Sequence, residues 1–186
     1  MYKCRVFLLA LCLLVALPVS AATKVLVTTN LGNFTVELNE AKAPITTKNF
    51  LRYVDDGSYV GTIFHRVIPG FMAQGGGFDK ALKQRPSYPP IKNEADNGLA
   101  NNIATIAMAR TQNPNSATRQ FYINLANNDF LNTEGNRTGY AVFGKVIKGF
   151  PVVEKMATIE TTTDLRTGMQ NIPTQPIIIE AMKVIK

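Results

Sequence analysis

The sequence predicts an all-β-dominated domain, an antiparallel barrel or sandwich, and three observations carry that reading. Short runs rich in Val, Ile, Thr, Phe and Tyr recur along the chain, punctuated by Gly, Pro, Asn and Asp. Only two stretches show helical spacing, and they are well separated. No internal repeat or low-complexity tract is visible. Many short strands with few helices pack as sheet on sheet or as a sheet closed on itself.

The elements follow in order. Residues 24–29 and 33–38 read as strands: Val25, Val27 and Thr29 alternate with Leu26 and Thr28, and Asn30-Leu31-Gly32 makes the reversal. A helix comes next, with Pro44 in its first turn, Phe50, Leu51 and Val54 at helical spacing, and Gly57 as its stop. Strands fill residues 63–74, broken by the turn signal Pro69-Gly70. Alternation puts Phe64, Arg66 and Ile68 on one side of the first of these and His65 and Val67 on the other. In the second, Phe71, Ala73 and Gly75 oppose Met72 and Gln74. Residues 78–102 have no periodicity and three prolines; a loop this long in a compact domain is functional or held by its own packing. Strands resume at 105–109, 120–125 and 140–147. Residues 149–157 form a second short helix with Phe150, Val153 and Met156 on one face. Pro176 precedes a last strand, 177–184, expected beside the N-terminal ones.

The first 22 residues read as a secretory signal: Lys3 and Arg5, then an apolar stretch from Phe7 to Leu17, then Pro18-Val19-Ser20-Ala21-Ala22. The apolar stretch is too short to span a bilayer, which argues against an uncleaved anchor. Leu11 is bulky where a lipoprotein site at Cys12 would need a small residue. Cleavage is expected after Ala22, with Ala21 as the alternative, leaving residues 23–186 as one domain without stable membrane association. Both cysteines, Cys4 and Cys12, fall in the removed segment, so the expected mature chain has no thiol for catalysis, metal binding or a disulfide. Its net charge falls from +7 to +5, and Lys80, Lys83 and Arg85 are the only local basic cluster. A soluble basic surface explains this better than nucleic-acid binding.

The richest stretch runs from Phe64 to Gly76 and holds the only histidine. It brings one cation, Arg66, and one amide, Gln74, to a surface of apolar side chains. That surface suits a greasy ligand with a single polar bond to be handled. Other signals are weaker. Gly75-Gly76-Gly77 lacks the Lys-Ser/Thr continuation of a phosphate loop and reads as a turn or bulge. Residues 93–98 lack EF-hand spacing, and one histidine permits no separate Ser-His-Asp set.

The stretch Phe64-His65-Arg66-Val67-Ile68-Pro69-Gly70-Phe71-Met72-Ala73-Gln74-Gly75-Gly76-Gly77-Phe78 resembles the cyclophilin signature, and Gln120-Phe121-Tyr122-Ile123-Asn124 resembles that family's second motif. The likeness extends from about residue 24 to the C-terminus and is nearest to the periplasmic cyclophilins of Gram-negative bacteria. It implies a closed eight-stranded antiparallel β-barrel with an α-helix capping each open end. It also implies a monomeric periplasmic peptidyl-prolyl cis-trans isomerase that needs no cofactor or metal. Its partners would be proline-containing unfolded or partly folded polypeptides.

X-Pro isomerisation is slow because twisting the imide removes amide resonance, a barrier of about 18–20 kcal/mol. No bond is made or broken, so no nucleophile is required. By the resemblance, Arg66 is the catalytic donor to the imide nitrogen, and Gln74 is either the carbonyl anchor or the holder of Arg66. Phe71, Met72, Tyr122 and Leu131 match the proline pocket, Gln120 matches a contact position, and Ala109-Arg110 match the segment whose backbone pairs with peptide. Phe121 reads as core. His65 reads as structural, hydrogen-bonded behind the site, because imide rotation transfers no proton. Phe130 stands where many eukaryotic members carry tryptophan, Tyr140 where they carry a site histidine, and Arg110 where they carry asparagine. Phe130 and Tyr140 are still expected to wall the pocket. Cyclosporin binding is expected to be weak, since Phe130 offers no indole N–H. The competing readings are a non-enzymatic binding module using the same groove and, more remotely, a hydrolase.

Overall fold

The computed structural model describes residues 22–185, so the signal segment read at the N-terminus lies outside the described residues except for Ala22. Among the described residues, ten strands and two α-helices alternate with short 3-10 turns. Eight strands close into a barrel: β1 (Lys24–Thr29), β2 (Gly32–Leu38), β3 (Thr62–Ile68), β4 (Met72–Asp79), β5 (Thr105–Met108), β6 (Phe121–Asn124), β7 (Val142–Lys148) and β10 (Ile177–Ile185). Around the barrel the order is β1-β10-β3-β4-β6-β5-β7-β2, and every neighbouring pair is antiparallel. The last strand lies against the first, as the sequence suggests. The remaining pair, β8 (Thr161–Thr162) and β9 (Ile172–Pro173), is a small hairpin that the sequence reading does not anticipate.

The interior is packed solid. Val25, Val27, Phe34, Val36, Phe64, Ile106, Phe121, Ile123 and Phe143 belong to one cluster and none is more than 1% exposed. Helix α1 (Pro44–Asp55) adds Phe50, whose ring lies 5.6 Å from Phe121 and 5.1 Å from Phe143, at the start of β7. Helix α2 (Phe150–Met156) follows the end of that same strand and buries Val153 and Met156. The two helices therefore cover opposite ends of β7.

Helix α1 begins without a local cap, because Ala43 has no side-chain acceptor. Glu94 supplies one from the long loop. One of its carboxylate oxygens accepts from the Ile45 N–H (3.0 Å) and the other from the Thr46 N–H (2.8 Å) and hydroxyl (2.6 Å). A carboxylate on free helix-terminal donors also complements the helix dipole. Asn93 donates to the Pro114 and Gly139 carbonyls, and Asn97 donates to the Val142 carbonyl. The long aperiodic segment is thus held by its own polar contacts.

The alternation expected in β3 does not hold. Phe64 and Val67 both enter the barrel core, while Arg66 faces outward. Pairing explains this: Phe64 opposes Gly75 and Arg66 opposes Gln74, so His65 is the extra residue of a β-bulge. The glycine run is not a turn but part of β4, with a second irregularity in the same ladder. Gly76 adopts φ +82°, and a Cβ on Gly77 would lie 2.6 Å from the Gln120 side chain.

Candidate active site

A second, smaller apolar cluster covers the outer face of the β4-β6-β5-β7 wall. It comprises Met72, Ala107, Tyr122, Leu131 and Val142, with Ile68, Phe71, Leu99, Ala109 and Tyr140 packed around them. Strand register aligns its centre: Arg66 opposes Gln74, Gln74 opposes Tyr122, Tyr122 opposes Ala107, and Ala107 opposes Val142. One row across five strands thus runs from a cation through an amide to apolar side chains. Directly opposed residues in such a row have Cβ atoms about 4.5–5.5 Å apart, so their side chains work as a unit.

Above this row opens a cavity of about 140 Å³, lined by Arg66, Phe71, Met72, Gln74, Ala109, Arg110, Tyr122, Leu131 and Tyr140. An apolar cavity of about 150 Å³ takes up benzene, so a five-membered proline ring is within its capacity. Arg66 forms no side-chain hydrogen bond or ion pair among the described residues. Gln74 donates from Nε2 to Oε1 of Gln120 at 2.9 Å, which leaves the Gln74 carbonyl facing no protein donor. Gln120 itself does not line the cavity and sits behind Gln74. Ala109 donates its N–H to the Gln120 carbonyl, extending the β5–β6 ladder by one residue.

Arg110 does more than its backbone role anticipates. Its guanidinium lies 4.3 Å from the Tyr140 ring centre and donates to the carbonyls of Thr111, Thr138 and Gly139. It fastens the segment that carries Tyr140, whose ring meets Tyr122 edge-on at 6.0 Å. Phe130 departs from the expected pocket wall. It is 59% exposed, does not line the cavity, and reaches only the rim, with its ring 5.6 Å from Phe71. The 3-10 turn Asp129–Leu131 is the cause, since neighbouring residues there point about 120° apart and Leu131 takes the inward place. Phe121 is fully buried in the barrel core.

His65 is 3% exposed and stacks edge-on against Phe78 at 4.7 Å. Its Nδ1 has no hydrogen-bond partner among the described residues, so the expected anchoring bond is missing there. The bulge points the ring into the protein, where the Ile63 backbone and the Gln120 side chain are the polar groups beside it. Burial, reinforced by the Arg66 charge, pushes the imidazole down to about 4, with partial opposition from the Ile63 backbone and the Gln120 side chain. Among the described residues, no group of three or more His, Cys, Asp or Glu is arranged to hold a metal ion.

Residues 24–184 match the family described as cyclophilin type peptidyl-prolyl cis-trans isomerase/CLD. The chain belongs to this family. A peptidyl-prolyl cis-trans isomerase of Acinetobacter baylyi is 55% identical over 173 residues, covering 92% of this chain and 90% of the relative. Peptidyl-prolyl cis-trans isomerase A of Dickeya dadantii is 52% identical, covering 92% and 89%. Isomerase B of Escherichia coli (strain K12) is 51% identical over 160 residues, covering 84% and 96%. A crystal structure of a cyclophilin-type isomerase from Cryptosporidium parvum superposes with a TM-score of 0.72 at 27% identity, covering 89% of this chain and 99% of that one.

Two features of this cyclophilin are not read from its sequence. Arg119 is 3% exposed and donates to the carbonyls of Ser58, Gly76 and Pro86, clamping two loops to strand β4. Asn101, fully buried, accepts from the Tyr122 hydroxyl at 2.7 Å. Neither announces itself, because polar residues beside turns ordinarily face solvent.

The His65 shift has a sign that can be tested. An unfolded histidine titrates near 6.5 and this folded one near 4, so between those values the unfolded chain binds a proton that the folded chain refuses. The stabilisation is complete above about pH 6.5 and is lost as pH falls toward 4, by about 2–3 kcal/mol at pH 4.5. Urea unfolding at pH 7.5 and 4.5 should show a larger acid loss in wild type than in His65→Gln. Equal losses in the two proteins would remove the assignment.

Proposed function

We propose that this cyclophilin turns X-Pro imide bonds by holding the proline ring in the cavity and donating from Arg66 to the imide nitrogen. The observation that carries this reading is an uncommitted guanidinium beside an apolar cavity of about 140 Å³. As the imide twists, its nitrogen becomes pyramidal and gains a lone pair. A donor engaged mainly in that state lowers the barrier without tightening ground-state binding. Phe71, Met72, Tyr122, Leu131 and Tyr140 supply apolar walls. Both roles stay open to Gln74, which opposes Arg66 in the β3–β4 ladder: its Nε2 gives one N–H to Gln120 and keeps a second for a peptide carbonyl, and its carbonyl oxygen is free to accept from Arg66. The Arg110 N–H and the Ala109 carbonyl, neither bonded among the described residues, are free to pair with the peptide backbone. The substrates are proline-containing polypeptides that are unfolded or partly folded, and the protein acts on them as a monomer.

Arg66→Ala should lower turnover of a short X-Pro peptide by roughly two or more orders of magnitude, about 3 kcal/mol of barrier. Its circular dichroism should be unchanged. Arg66→Lys should recover little, since a point charge cannot fork across two acceptors. Near-normal turnover in Arg66→Ala would refute the role, and binding without turnover in wild type would favour the binding-module alternative. Turnover should be nearly flat from about pH 5.5 to 8, because no proton moves and His65 is already neutral in that window.

The reading extends to export. Periplasmic work on exported clients is supported by the charged, apolar and small-residue order of residues 1–22. Intact mass of the native protein should place its first residue at or next to Thr23, and fractionation of a Gram-negative host should recover it from the periplasm. A soluble form retaining Cys4 or Cys12 would contradict this.

Cyclosporin should bind weakly, because exposed Phe130 has no donor for a ligand carbonyl. Phe130→Trp should tighten binding about ten- to a hundred-fold and change peptide turnover only modestly. Equal affinities in a fluorescence or calorimetric titration would show that this position does not decide the matter.

A further inference from the structure

We infer that Asn101 is a positioning residue of the proline pocket, holding the Tyr122 hydroxyl inside the protein so that the cavity meets only the apolar ring. The inference rests on the isomerase reading of that cavity. Tyr122 lines the cavity yet is only 4% exposed, and Asn101 is the hydrogen-bond partner of its hydroxyl.

The direction of that bond follows from backbone groups whose polarity is not in question. The Asn101 N–H donates to Oδ1 of Asn132 at 2.7 Å, so that oxygen is an acceptor. The Asn101 side chain meets the same oxygen at 3.0 Å and the Tyr140 carbonyl at 3.4 Å, and both contacts require its amide nitrogen. Oδ1 of Asn101 therefore faces Tyr122, and the tyrosine must donate. The other end of the network agrees. Nδ2 of Asn128 donates to the Phe71 carbonyl (2.9 Å) and to Oδ1 of Asn124 (2.7 Å), which turns the Asn124 nitrogen toward Asn101 at 3.3 Å. Asn101, Asn124 and Asn128 are each no more than 3% exposed. Burial raises the Tyr122 hydroxyl far above its ordinary range, so it remains a neutral donor.

One asparagine thus ties together the walls that grip a proline ring. Tyr122 hangs on it by the hydroxyl, Tyr140 by its carbonyl, and Phe71 through Asn124 and Asn128. Asn128 also donates its N–H to the Asn101 carbonyl and accepts from the Leu131 N–H. Arg66 and Gln74 are outside this network. Disturbing Asn101 should therefore damage proline binding and leave the twisting step intact.

The test measures kcat and KM on a short Ala-Pro peptide for wild type, Asn101→Leu, Tyr122→Phe and the double variant. Asn101→Leu leaves a buried hydroxyl without a partner and should raise KM about tenfold while kcat changes less than about twofold. The double variant also removes the stranded hydroxyl and should recover the part of that loss which the hydroxyl causes, giving non-additivity, while the part that comes from the freed Tyr140 carbonyl and Asn124 amide remains. A folded Asn101→Leu with wild-type KM, or additive effects in the cycle, would overturn the inference. Should Asn101→Leu fail to fold, wild type still decides by NMR. The Tyr122 hydroxyl proton should be protected from water, lie close to the Asn101 side chain, and shift little on saturation with the peptide. A freely exchanging proton, or one displaced strongly by peptide, would place the hydroxyl in the cavity and overturn the inference. Arg66→Ala in the same assay separates the two claims: if it is inactive while Asn101→Leu binds normally, only the role of Asn101 falls.

Discussion

Closing the barrel and filling it with side chains is the constraint from which the rest follows. Phe34, Phe64, Phe121 and Phe143, with the aliphatic residues between them, occupy the interior and leave no room for a peptide. Close packing of this kind stabilises a domain because each buried side chain gains both transfer free energy and dispersion contacts. It also forces the chemistry onto the outside of the wall. The β4-β6-β5-β7 wall must then be buried on both faces, which alternation within a strand allows. Phe121 and Ile123 go inward, and Tyr122 and Asn124 go outward beneath the long loop and the 3-10 turn.

A doubly buried wall brings polar groups into places without water, and the structure meets that cost with connected networks. The asparagines at 101, 124, 128 and 132 satisfy one another, the Tyr122 hydroxyl and several backbone groups. Glu94 answers the free donors of α1 from across the fold. Arg119 is the more demanding case, a buried cation with no carboxylate partner among the described residues. Three backbone carbonyls and the faces of Tyr53 and Tyr59, 5.1 and 5.6 Å from its guanidinium carbon, replace its hydration. By gripping the Gly76 carbonyl it holds the glycine segment against Gln120, and Gln120 in turn holds Gln74.

The β3 bulge divides the labour between two adjacent basic residues. His65 turns inward, where burial keeps it neutral over the physiological range, and Arg66 turns outward with its charge uncommitted. A reaction that only rotates a bond gains nothing from a proton-transfer group, but it does gain from a permanent donor held near an apolar cavity.

Much of this was legible in the residues themselves. Local rules suffice for β1, for the proline-led start and glycine-marked end of α1, and for the paired faces of Met72 with Gln74, because each depends on neighbours in sequence. The two motifs likewise carried the identity of most cavity-lining residues. Closure of the barrel, the outward turn of Arg66 and the inward turn of His65 depend instead on register. One extra residue in a ladder reverses every side chain beyond it, and no run of amino acids states where its partner strand will place that residue. Phe130 reached the rim because a 3-10 turn gives the inward place to Leu131, and Arg110 folded over Tyr140 because the fold brings the Thr138 and Gly139 carbonyls to its guanidinium. The buried roles of Asn101, Glu94 and Arg119 were beyond local reading altogether. A polar side chain acquires such a role only when groups 21 to 61 positions away surround it, and only tertiary structure brings those groups together.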